Sequence, residues 1–204
     1  MRASIFEAIV CDYGNVLART LAPEPRAAWE RRLGLAAGAL ERVVHNDNSW
    51  IAAQRGQITP EAHWHEVGTH LGLTPCATAA LRAAFYQGDV LNAALVARLA
   101  QLRSAGTRLA LLSNFSSELN ALLVQHDLSR HFDHIVVSAD VGVMKPDAEA
   151  YRAVLHRLAL PAHRCVFIDD LSTNVEAARL LGMHGILFRD TPSCLAELDR
   201  LGNT

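Results

Sequence analysis

An apolar run from Ile5 to Cys11, interrupted only by Glu7, stops abruptly on a carboxylate, Asp12. A Gly14-Asn15 pair follows, and then Val16 and Leu17. Such a run reads as a buried parallel strand carrying a reactive group at its carboxyl end. In open α/β sheets ligands bind at that end. A lone strand-end Asp is equally at home as a turn former or helix cap. Three later stretches give it company: Leu109-Ala110-Leu111-Leu112-Ser113-Asn114, Val143-Met144-Lys145-Pro146-Asp147, and Val166-Phe167-Ile168-Asp169-Asp170-Leu171-Ser172-Thr173-Asn174. Together they supply a carboxylate, a hydroxyl, an ammonium and a carboxylate pair.

From Asn92 onward strands and helices alternate. Strands are expected at Arg108 to Ser113, His134 to Ser138, Cys165 to Ile168 and Gly185 to Phe188. Helices lie between them, two ended by Gly106 and Gly182. The pattern predicts an α/β fold, a Rossmann-like doubly wound five-stranded parallel sheet of order 5-4-1-2-3. Residues 18–91 differ in character. From Pro23 to about Gly88 they read as five helices with no convincing strand, beginning near Pro25, Ala37, Asn48, Thr59 and Ala77. Thr59-Pro60-Glu61 is a cap, a first-turn Pro and an acidic residue. Residues 18–91 are therefore expected to form a helical cap domain inserted into a core of residues 1–17 and 92–204.

A formal net charge of -2 over 204 residues argues against nucleic acid as the main partner. No stretch approaches a membrane span, and the amino-terminal run has no signal-peptide character. Cys11, Cys76, Cys165 and Cys194 have no metal-ligand spacing. A reducing, cytoplasmic setting is expected. Oligomeric state is not readable.

The four stretches, in this order, closely resemble the haloacid dehalogenase-like hydrolase superfamily over the chain outside residues 18–91. The Asp-x-Gly-Asn-Val turn is similar to that of its sugar-phosphate phosphatases. The resemblance implies Asp12 as the nucleophile that forms an aspartyl-phosphate. It implies Mg²⁺ held by Asp12, the Gly14 carbonyl and Asp170. Ser113 and Asn114 would bind a phosphate oxygen, and Lys145 would neutralise phosphate charge beside the nucleophile. Asp169 would orient Lys145 or a metal-bound water, with Asn174 holding the carboxylate pair from behind. The chemistry fits these residue types: phosphoryl transfer asks for a positioned nucleophile and positive charge around the equatorial oxygens.

One departure stands out. Most phosphatases of this superfamily carry a second Asp where this chain has Gly14. General acid-base catalysis contributes roughly 10²–10⁴-fold, so its loss favours substrates with good leaving groups or a donor from the cap. The expected activity is Mg²⁺-dependent hydrolysis of a small phosphorylated metabolite. Two alternatives remain: a 2-haloacid dehalogenase-type hydrolase, although that group has Tyr two residues after the nucleophile and here Tyr13 is one after; and a catalytically idle binding protein, suggested by Gly14. Tyr13, Arg19, Trp50 and Arg55 are candidate specificity positions. His63, His65 and His70 read more readily as ordinary helix surface than as a metal site, because no carboxylate completes a ligand set.

Overall fold

The computed structural model describes residues 6–202; Ile5, where the first apolar run was expected to begin, lies outside them. The elements in chain order are β1 (Ala8–Cys11), β2 (Ala18–Thr20), α1 (Glu24–Leu33), α2 (Ala39–Val44), α3 (Ser49–Gln54), α4 (Pro60–His70), α5 (Pro75–Tyr86), β3 (Asp89–Leu91), α6 (Ala93–Ser104), β4 (Arg108–Ser113), α7 (Glu118–Gln125), β5 (His134–Val137), α8 (Ser138–Val141), α9 (Ala148–Leu158), β6 (Cys165–Asp169), α10 (Ser172–Leu180), β7 (His184–Leu187) and α11 (Thr191–Gly202).

The main sheet has order β5-β4-β1-β6-β7 and is parallel throughout. Counting only these five strands along the chain, that is the expected 5-4-1-2-3. Period-two alternation explains why both faces are covered. Ile9, Cys11, Leu109, Leu111 and Ile168 point to one face, where they pack with Leu95, Leu99, Leu119, Leu123 and Leu198. Ala8, Val10, Ala110, Leu112 and Phe167 point to the other, against Tyr151, Val154, Leu158, Ala178 and Met183. Each large side chain so buried stabilises the fold by about 1.5–3 kcal/mol before conformational entropy is counted.

Register sets the site. Cys11 is paired with Leu111 on one side and Ile168 on the other. One residue further on, Asp12 and Asp169 therefore emerge side by side, and the Asp12 N–H donates to the Ile168 carbonyl at 2.9 Å.

Residues 24–86 hold five helices with a hydrophobic cluster of their own, built on Trp29, Leu40, Val44, Trp64, Val67, Leu81 and Phe85. Thr59 caps α4 by accepting from the Ala62 N–H at 3.1 Å. Just outside the helical stretch from Pro23 to about Gly88, two short strands that had not been expected, β2 and β3, pair antiparallel and bracket the helices. Strands of three residues are too short to show alternation. No described helix is long and apolar enough to cross a membrane.

Candidate active site

Asp12 leaves β1 nearly buried, at 8% exposure. Its Oδ1 accepts from the Tyr13 N–H at 2.7 Å and lies 2.9 Å from Lys145 Nζ. Lys145 is itself 4% exposed and donates to Asp169 Oδ2 at 2.6 Å. Burial pushes the Asp12 carboxyl up from its ordinary value, with the Lys145 ammonium and the Ser113 hydroxyl pulling against it. Burial also pulls on Lys145, but Asp12 and Asp169 outweigh it and hold the ammonium above its usual range. Lys145 is thus a fixed charge, bridging the candidate nucleophile to a fully buried carboxylate.

Asp169 has its lone pairs taken. Its oxygens accept from the Leu171 N–H at 2.9 Å, from Asn174 Nδ2 at 3.0 and 3.2 Å, and from Lys145. An ionised carboxylate offers about four such sites. Asn174 stands in the first turn of α10, and the Tyr151 hydroxyl fixes it by donating to its carbonyl at 2.8 Å. The expectation that Asn174 holds both carboxylates is corrected: it holds Asp169. Asp170 is held from the other side, where Asn15 Nδ2 donates to its Oδ2 at 3.0 Å.

Ser113 ends β4, nearly buried, and its hydroxyl acts on Asp12. Asn114 follows with its side chain turned to Lys145. Its Oδ1 accepts from the Lys145 N–H and its Nδ2 donates to the Lys145 carbonyl, both at 2.8 Å. This two-point clamp fixes the backbone of Lys145. Beyond it, α9 starts at Ala148, with Asp147 as its cap residue.

The candidate specificity positions fall in three places. Tyr13 and Trp50 are buried and pack edge-on against Phe115, with ring centroids 6.1 and 5.1 Å away. Arg19 is spent on structure. Its Nε donates to the Asn15 carbonyl at 3.0 Å, and its guanidinium lies over the Phe188 ring. Arg55 is exposed beside Gln54. The histidines do not gather. His63 is buried, its Nδ1 2.8 Å from Ser49 Oγ, while His65 and His70 are exposed. The expectation of a surface position is thus corrected for His63.

Sequence reasoning missed four contributors. Gln54 donates from α3 to the Asn114 carbonyl at 2.8 Å, tying the helical unit to the strand-end turn. Glu118, in the first turn of α7, collects three side chains from that unit. Arg82 reaches it at 2.6 Å, the Tyr86 hydroxyl at 3.1 Å and the Trp64 indole at 3.2 Å. Phe115 is the ring on which Tyr13 and Trp50 meet. Asn15 read only as a turn residue. None of these partnerships has a local signature, because each joins residues far apart in sequence.

Among the described residues, one group of acidic or thiol and imidazole side chains can hold a metal ion: Asp12, Asp169 and Asp170, whose ligand atoms lie within 4.8 Å of one another. Three carboxylates against one ammonium leave two negative charges uncompensated in the cluster. All donors are hard oxygens, the set that Mg²⁺ prefers. Because Asp169 is saturated, the oxygens open to a cation are those of Asp12 and Asp170. A groove of about 920 Å³ between α4, α5 and α7 is lined by Trp64, Arg82, Tyr86, Glu118 and Leu122. It contains none of these acidic residues.

Similarity to known proteins bears on this arrangement of a strand-end carboxylate, a buried Lys and an acidic pair. The model of the family described as haloacid dehalogenase-like hydrolase matches residues 6–182. The chain belongs to that family. A sesquiterpene phosphatase of Aspergillus oryzae is 30% identical over 166 residues, which are 78% of this chain and 82% of that protein. Bifunctional epoxide hydrolase 2 of Rattus norvegicus is 42% identical over 78 residues, 38% of this chain but 14% of that much longer protein. In structure, a HAD-family enzyme of Bacteroides thetaiotaomicron matches with a TM-score of 0.79 at 19% identity, over 94% of this chain and 98% of that one. That enzyme has also been solved with magnesium and inorganic phosphate. The matched family is one of hydrolases; the activity, substrate and reaction of this chain rest on the site itself.

Proposed function

We propose that this hydrolase is a Mg²⁺-dependent phosphatase for a small phosphorylated metabolite, working through an aspartyl-phosphate on Asp12. One observation carries the reading: the Asp12, Asp169 and Asp170 cluster keeps two uncompensated negative charges around a single buried Lys. A hydrolase that attacks carbon has no use for that excess. A phosphatase needs it to hold a divalent cation against an incoming dianion. The Aspergillus oryzae phosphatase and the magnesium and phosphate complex of the Bacteroides enzyme support the same reading.

The Asp12 and Asp170 carboxylates and the Gly14 carbonyl would hold the cation. When bound, Mg²⁺ would offset repulsion between Asp12 and the phosphoryl group. The chain's own residues do the rest. An Asp12 oxygen attacks phosphorus as the ester P–O bond breaks, and the electron pair leaves on the departing oxygen. Lys145 faces the equatorial oxygens as a point charge, already fixed by Asp169 and Asn114. The Ser113 hydroxyl and the α7 N-terminus add donors and partial positive charge. Water then cleaves the acyl phosphate and returns the Asp12 carboxylate. Gly14 supplies no proton to the leaving group. The helical unit of residues 18–91 serves as the cap, docked over the site through Gln54, Trp50 and Glu118.

A screen of phosphorylated metabolites with and without Mg²⁺ tests this. Phosphate release that requires Mg²⁺ and vanishes in Asp12→Asn is expected. Halide release from a 2-haloacid without Mg²⁺ would make the protein a dehalogenase. A folded, Mg²⁺-binding protein that turns over no ester would be an idle member of the family.

A further inference from the structure

We propose that Asn15 is a positioning residue: its amide holds the Asp170 carboxylate facing the cation site before any cation arrives. The inference rests on the metal reading above and adds a residue to it. Asp170 is the half-buried, lightly held member of the acidic cluster. Asp169 is fixed by four contacts and Asp12 by Lys145 and a backbone N–H. Left alone, Asp170 would turn away from two neighbouring carboxylates toward water. Asn15 Nδ2, 155 positions away in sequence, donates to Asp170 Oδ2 at 3.0 Å and opposes that rotation. One oxygen is restrained and the other stays open.

The turn that carries Asn15 is built to aim this amide. Asn15 has a φ of 55°, in the left-handed region where Asn and Gly are the residues most at ease. Its N–H donates to the Ala18 carbonyl at 2.8 Å, and its own carbonyl accepts from Arg19 Nε at 3.0 Å. Arg19 is braced on the Phe188 ring at the end of β7. The Leu17 and Ala18 N–H groups both return to the Tyr13 carbonyl, at 2.9 and 3.0 Å. Backbone geometry alone would be met by Gly. The side chain is what Asn adds, and the described contact it makes is with Asp170. Groups that orient a metal ligand in this way are typically worth 10–100-fold in metal affinity.

The test is a double-mutant cycle on Mg²⁺ affinity, read by calorimetry on the full chain. Asn15→Gly keeps the left-handed turn and removes the amide. It is expected to weaken Mg²⁺ binding about 10-fold. In an Asp170→Ala background the same change should cost less than about twofold, because no side-chain acceptor is left for the amide. The Mg²⁺-induced rise in Tm should follow the same pattern. Unchanged affinity in Asn15→Gly overturns the proposal. Equal losses in both backgrounds overturn it too, since they would mark a general loosening of the turn. A wild-type chain that binds no Mg²⁺ would instead remove the metal reading itself, and the positioning role with it.

Discussion

Restoring a carboxylate at position 14 should speed poor substrates selectively. Gly14 does not have a left-handed φ, and a Cβ built on it meets nothing within 4 Å. Gly14→Asp therefore fits without strain, and loss of Gly freedom in the unfolded chain favours it by about 0.4–1 kcal/mol. The added group opens toward a partly exposed position one residue from Tyr13 and two from Asp12. General acid catalysis is worth roughly 10²–10⁴-fold when fully positioned. For a grafted acid we expect the lower end, up to about 10²-fold on primary alkyl phosphates, and a change within about twofold on aryl phosphates, which leave without help. The assay is single-turnover release across esters of graded leaving-group pKa at saturating Mg²⁺. In the wild type the rate should climb steeply as leaving-group pKa falls, and in Gly14→Asp the slope should flatten. A flat wild-type series, with no burst of alcohol to indicate a later slow step, would refute the reasoning. It would show that a proton donor already reaches the leaving group.

Two further outcomes follow from buried charge. Lys145→Met should destabilise the fold by about 3–5 kcal/mol, because it strands Asp12 and Asp169 without a counter-ion. Urea unfolding at pH 7 measures this, and a cost under about 1 kcal/mol would sink the claim that the pair is buried and coupled. In the wild type, Lys145 titrates above its usual range when folded, so its contribution persists below the ordinary lysine pKa and is lost as pH climbs through the raised value. His63 behaves oppositely: burial lowers it from 6.5 to about 4, and His45 likewise. The unfolded chain then binds protons first as pH falls. Stability should be full above about pH 6.5 and drain away toward pH 4, by up to about 3 kcal/mol from His63. His45 contributes less, since a third of its side chain is exposed. Trp29, Trp50 and Trp64 all lie in the helical unit, so tryptophan fluorescence follows its unfolding. His63→Leu should flatten the acid slope, and an unaltered slope would count against the assignment.

The parts of this fold that were legible are those whose signal is local and repeated. Each core strand is buried on both faces, so Ala8–Cys11 or Arg108–Ser113 stands out as an apolar run. Each run stops on polar residues because the carboxyl end of the sheet is where side chains meet water and substrate. The acidic cluster was legible through the family resemblance of the four stretches, and the parallel pairing of β1 with β6 is what brings Asp12 and Asp169 level. Less could be read where tertiary pairing chooses the outcome. The β2–β3 ladder exists because two three-residue segments meet where the chain leaves and re-enters the core. Tyr13 and Trp50 look alike in sequence to substrate-facing aromatics, yet both are spent on Phe115. Arg19, a candidate specificity position by sequence, braces the Asn15 carbonyl. Gly56 is a close approach, since a Cβ there would lie 2.2 Å from the Ala139 carbonyl oxygen.

The six residues from Ser113 to Glu118 explain how the helical unit and the chemistry are coupled. Ser113 acts on Asp12, and Asn114 clamps the backbone of Lys145. The carbonyl of that same Asn114 accepts from Gln54, Phe115 receives Trp50, and Glu118 receives Arg82, Trp64 and Tyr86. One segment therefore carries the support of the Lys145 backbone together with these docking contacts. A hydrogen bond from Gln54 to a backbone carbonyl restrains the peptide whose side chain sets Lys145. Net, such a bond contributes about 0.5–1.5 kcal/mol, small against the fold but comparable to a tenfold change in rate. Changes in the helical unit need not touch substrate to alter turnover. They can act through Asn114, by shifting the ammonium that would face the phosphoryl group in the proposed reaction.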